Sequence, residues 1–131
     1  MSTMMKNHRT TAWLALAAMV VFSTMVFAHH GLAEFDQTKK VTLKGAVTVF
    51  RFVNPHSVVE FDVKDEAGHV QNWQGQLTSR TRLKGWTATS LEPGVTVTVI
   101  GYRAKSGAPY IWVTSLKASN GVEIGEAQAI P

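Results

Sequence analysis

Three histidines hold most of the chemistry that this sequence could do: His29 and His30, which are adjacent, and His56, which follows Asn54-Pro55. An N-terminal histidine chelates through its α-amine and its Nδ1. One further imidazole then completes a T-shaped set of three nitrogens. Such nitrogens suit copper(II), which stands highest among the first-row divalent metals in affinity for them. His56 is the expected third ligand, with His30 as its substitute. Pro55 fixes the backbone just ahead of His56 and can aim its imidazole from a loop. The plainer alternative makes His29 and His30 a polar start to the chain and gives His56 a backbone carbonyl as its hydrogen-bond partner.

A free amine on His29 requires a cut after Ala28. Lys6 and Arg9 precede an uncharged run from Thr10 to Ala28, rich in Ala, Leu, Met, Val and Phe, that closes on Val26-Phe27-Ala28. A charged start, an apolar middle and small residues at the end are the layout of a secretory signal peptide. Residues 1–28 are therefore expected to be removed, and the protein is expected in the periplasm. The alternative is an uncleaved anchor of marginal length, with that segment as the sole contact with a membrane.

The chain has 131 residues and no cysteine, so a cysteine-anchored lipoprotein, thiolate ligation and disulfides are all excluded. Its formal charge is +4. Lys6 and Arg9 lie in the leader, which contains no acid, so the remainder is only weakly basic. Export and a weak charge both argue against a nucleic-acid partner. A periplasmic protein or a small ligand is expected instead.

A second candidate is an aromatic ligand face built from Phe50, Phe52, Tyr110 and Trp112. Rings with arginines nearby, here Arg51 and Arg103, form stacking surfaces; the alternative is that these rings fill the core. Trp73 and Trp86 are expected in the core. Arg80, Arg82 and Lys84 are expected to be a solvated surface, with docking to an acidic partner as the alternative. His69 belongs to a solvated turn, and Glu34 and Asp36 are expected to solvate the lead-in or to pair with Lys39 and Lys40. No nucleophile elbow, zinc-protease pair or phosphate loop is present. Ser57 and His56 are neighbours in a strand and point to opposite faces. No enzyme is expected.

These residues need a scaffold, and the pattern predicts an all-β one. Val41, Leu43, Val47, Val49 and Val53 alternate with other residues, which is the period of a strand. Gly45 interrupts that run and suggests a bulge or bend. Further strands are predicted from Ser57, His69, Val95 and Tyr110, with a short edge strand near Val122. A Thr78 or Ser79 cap and a terminating Gly85 predict one short helix between the third and fourth strands. A long first strand, two more, a helix and two more strands is the order of a small five-stranded OB-like Greek-key barrel. A small open β-sandwich is the alternative. The expected layout is a signal peptide at 1–28, an irregular lead-in at 29–40, the barrel domain at 41–125 and a tail at 126–131.

His29-His30, Glu34-Phe35-Asp36, Val41-Thr42-Leu43-Lys44-Gly45, Asn54-Pro55-His56 and Lys84-Gly85-Trp86 together carry a resemblance. Trp73, Pro93-Gly94 and Gly101-Tyr102 fit it as well. On these residues the chain resembles the small exported bacterial proteins of domain-of-unknown-function family 6152, over nearly all of its length beyond the leader. It departs at Ser106-Gly107, where Asp-Gly is common, and that touches only a turn. The resemblance implies this fold and a periplasmic address. It implies no activity.

Overall fold

The computed structural model describes residues 30–126. The segment expected to be a signal peptide, 1–28, His29 and the residues after Glu126 lie outside the described residues. The chain divides into two units between Ala33 and Glu34. The described part of the first unit is one helical turn, α1 (His30–Ala33). No described helix is long and apolar enough to cross a membrane.

The second unit is all-β. Its strands are β1 (Phe35–Arg51), β2 (Val58–Lys64), β3 (Val70–Gln76), β4 (Thr96–Ala104), β5 (Tyr110–Ala118) and β6 (Glu123–Ile124). They run in the order β3-β2-β1-β4-β5-β6, and an added β3–β5 pairing closes the first five into a ring. That closing pair is parallel, with Gln74 opposite Tyr110 and Gln76 opposite Trp112. The other five pairings are antiparallel. β6 adds a short flap on β5 and stands outside the ring.

β1 serves two neighbours because it is long. Its first part pairs with β4 and its last part with β2, and Ala46 pairs with both Thr96 and Asp62. The strand starts at Phe35, ahead of the alternating run and inside the lead-in expected to be irregular. Its register shifts fall between Phe35 and Lys40 and between Val47 and Val49, rather than at Gly45. Gly45 answers a different need. A Cβ there would sit 2.3 Å from the backbone oxygen of Asp62, so the strands can approach only without one. Extra residues in one strand bend and twist it, which is what closing a ring demands.

Inward residues fill the ring at the strand period. Val97, Val99, Phe61, Ile111 and Val113 are fully buried. β5 bulges opposite Ile100 and Gly101. There the buried Thr114 hydroxyl donates to the Ile100 carbonyl at 3.2 Å, so the irregularity leaves no orphaned group.

The predicted helix between β3 and β4 is absent, and turns occupy its place. Arg82 and Leu83 both donate to the Ser79 carbonyl, and Trp86 donates to Leu83. Of these, only the Leu83–Ser79 bond has α-helical spacing. One such bond does not offset the entropy of starting a helix, and the sequence supplies little to extend it. Ser79 and Thr81 spend their hydroxyls on each other, and Gly85 takes φ +79. Burial sets the loop instead: Leu83 and Leu91 are driven into the core.

Candidate functional site

His56 sits in the turn between β1 and β2, after a cis Asn54–Pro55 bond. The turn is held by Ser57, which is fully buried. Its hydroxyl donates to the Val53 carbonyl at 3.1 Å and accepts from the Val53 amide at 3.3 Å. Its backbone is bonded across to Leu77 and Thr78. One side chain thus closes the turn on both sides and fixes where the preceding residue stands.

The His56 Nδ1 lies 3.2 Å from the Leu77 carbonyl oxygen. A carbonyl can only accept, so Nδ1 is the donor and carries the hydrogen. In the neutral ring that assigns the lone pair to Nε2. The imidazole also meets Trp112 edge to face, with centroids 5.5 Å apart. Ring and tautomer are both held.

Trp112 belongs to a larger group. Phe35 meets it at 5.7 Å and meets Tyr110 at 5.0 Å. The Tyr110 hydroxyl donates to Gln76 Oε1. Burial pushes the Tyr110 phenol above its ordinary range, and the Glu34 carboxylate adds to the shift. Tyr110 is therefore a persistent donor. The parallel β3–β5 seam brings Gln76 beside Tyr110 and Trp112, while the start of β1 supplies Phe35. A tethered imidazole on one side of Trp112 and Phe35 and a phenol–amide pair on the other share one aromatic base. Such a corner can accept a proton or a metal ion at Nε2 and can donate from the phenol.

The other two expected face residues lie in a different group. Phe50 and Phe52 meet at 6.0 Å, and Phe50 meets Trp86 at 5.9 Å. The Arg80 guanidinium stands 5.8 Å from the centre of the Phe52 ring. Among the described residues no ring contact joins this group to the Trp112 group. Trp112 is 4 % exposed, whereas Phe50 and Phe52 are half-buried.

His30 lies in α1, and His29 lies outside the described residues. Among the described residues no three histidines or carboxylates converge as a metal group. The expected lead-in pairs are rearranged: Asp36 accepts from Thr38, whose hydrogen bonds hold its carboxyl below the ordinary range, and Lys40 pairs with Glu126. His69 is exposed beside Asp65, with Nδ1 and Oδ2 3.1 Å apart. Arg103 stacks over Trp73, 5.1 Å from the ring centre, and Arg51 pairs with Glu60 at 2.7 Å. Phe35 and Gln76 are the participants that sequence reading missed, and Arg80, expected as solvated surface, stands over a ring. Phe35 had one signal, its place in the Glu34-Phe35-Asp36 motif.

The fold and corner define a class, a small all-β domain with strands closed in a ring and a tethered imidazole at its seam. The chain belongs to DUF6152, a family of unknown function, which it matches over residues 15–110. No curated protein matches it. Among solved structures it is similar to the crystal structure of apo TiaS, a tRNAIle2 agmatidine synthetase. The two are 18 % identical, with a TM-score of 0.44, and the match covers 70 % of this chain but 20 % of that one.

Proposed function

We propose that this protein is an exported, periplasmic binding or accessory module, an OB-like barrel that holds copper(II) through a processed N-terminal His29 and His56. The OB-like reading is supported by the ring order and by its parallel β3–β5 closure. The observation that carries the metal reading is the His56 Nδ1 bond to the Leu77 carbonyl. Metal-bound imidazoles commonly give their other ring N–H to a carbonyl, which fixes the ring and raises ligand basicity. The carbonyl bond expected as the plain alternative is thus also the support that a ligand needs. After cleavage at Ala28, the amine and imidazole of His29 supply the other two nitrogens, and His30 is the substitute for His56 as third ligand. Such a protein would act on a periplasmic partner or small ligand by carrying or withholding the ion, without turnover.

The test is copper titration of three forms: protein beginning at His29, the same protein with one added N-terminal residue, and His56→Ala. Both changes should weaken binding by at least about tenfold. Copper bound at His56 should also quench Trp112 fluorescence, and Trp112→Phe should remove that part of the quenching. Equal affinities for the three forms would sink the copper reading. A metal-free interaction domain is the second reading, and the half-exposed Phe50–Phe52–Trp86 group favours it.

A further inference from the structure

We propose that the Phe50–Phe52–Trp86 group and the 79–86 loop form a docking surface for an acidic peptide segment that carries one apolar anchor. The proposal deepens the metal-free reading by naming its partner's chemistry. It shares no residue with the His56 corner, so either can fail alone.

Charge is the first argument. From residue 67 to residue 91 the sequence contains no Asp or Glu, while Arg80, Arg82 and Lys84 all lie there. All three are exposed. Nearby Arg51 is neutralised by Glu60, so the positive character concentrates on the loop. A helix would have spread alternate residues around its circumference. The turns instead bury Leu83 between Arg82 and Lys84, at 4 % exposure, and so pin both outward on a fixed backbone. A preformed loop reduces the entropy lost on binding.

Apolar surface beside the charge is the second argument. Phe50, Phe52 and Trp86 pack on the core with one side and remain half-exposed on the other. The Val53 carbonyl accepts from the Arg80 amide at 3.2 Å, which ties the loop to the chain just after Phe52. Arg80 links the two features by standing over the Phe52 ring. Aromatic residues with arginine are the usual composition of interface hot spots.

Ring geometry narrows the occupant. Phe50 and Phe52 are inclined at 37°, and Phe50 and Trp86 at 59°. These rings make no flat platform of the sort on which successive bases stack. Rings inclined in this way suit contact with one aromatic or aliphatic side chain rather than a run of stacked bases. Acidic residues flanking that side chain would meet Arg80 and Lys84.

Random peptides displayed on phage and panned on the purified full chain test this. The recovered peptides should be rich in Asp and Glu around a single Phe, Trp or Leu. Their binding should weaken as salt rises, because rim charges are screened. The double variant Arg80→Gln, Lys84→Gln should bind them roughly tenfold more weakly. Phe52→Ser should weaken binding similarly while leaving its salt dependence unchanged. Should that variant fail to fold, the double variant at exposed positions still decides. Four results overturn the proposal: peptides with no acidic bias, equal binding to the double variant, no peptide recovered, or tighter binding to phosphatidylglycerol vesicles than to any peptide.

Discussion

The molecule carries two aromatic groups of similar composition and opposite character. At the β3–β5 seam, Phe35 packs against Tyr110 and Trp112, His56 meets Trp112, and Trp112 is almost wholly buried. At the end of β1, Phe50, Phe52 and Trp86 stay half-exposed under Arg80. In the first group the polar atoms are spoken for: Nδ1 by Leu77, the phenol by Gln76. In the second the polar element is a cation over a ring, which attracts without fixing a geometry as tightly. The first is built to hold one side chain in one state. The second is built to leave apolar surface within reach of a partner. Residue type does not separate them; burial and hydrogen bonding do.

The largest effect should come from truncating each group's ring. Trp112→Ala removes a buried ring from the seam and should cost about 3–5 kcal/mol in urea unfolding. Phe52→Ala gives up a half-buried ring and should cost less than about 2 kcal/mol. Equal costs would mean that the burial contrast does not describe how the two groups contribute to stability.

Next in size is Ser57→Ala. The hydroxyl satisfies both the Val53 amide and the Val53 carbonyl, and the site is fully buried. The Val53 carbonyl keeps the Arg80 amide, but the Val53 amide loses the Ser57 oxygen, which should cost about 1–3 kcal/mol. The NMR signals of the His56 imidazole should shift, because its turn loses the clamp, while those of Phe50 and Trp86 should hold. A shift spread evenly over both groups would show that the His56 turn is not an independent unit.

Much of the scaffold was legible because alternation is local. Strands expected from Val95 and Tyr110 are found as β4, from Thr96, and β5, from Tyr110. What joins the strands was not local. The β3–β5 pairing unites segments far apart in sequence, and no period in either one announces it. The division of the aromatics into two groups follows from that pairing, so Phe50, Phe52, Tyr110 and Trp112 read from sequence as one face. The helix expected after Ser79 had a cap and a terminating glycine, yet burial of Leu83 decided the backbone. Phe35 escaped notice because the residues from Gln37 to Lys40 are all exposed and break the alternation around it. For His56, Pro55 signalled a fixed loop, but the bond to Leu77 required the register of β2 on β3.

The smallest effect sharpens the seam's side of the comparison. Tyr110 keeps its proton longer in the folded protein than an ordinary tyrosine, because burial and then the Glu34 charge both oppose the phenolate. Unfolding releases that constraint, so above the ordinary tyrosine value of 10.0 the unfolded chain binds fewer protons than the folded one. Stability drawn from the neutral phenol is therefore complete below that pH and is lost as pH rises through the higher folded value. Tyr110→Phe should lower stability at neutral pH by about 0.5–1.5 kcal/mol, the worth of one hydrogen bond to Gln76. The gap between it and the unaltered protein should then narrow as pH is raised past 10.0, since the variant has nothing to ionise there. Unfolding at a series of alkaline pH values measures this directly. A gap that stays constant would mean that the phenol is as free to ionise folded as unfolded, and the seam would lose its claim to hold its polar groups in one state.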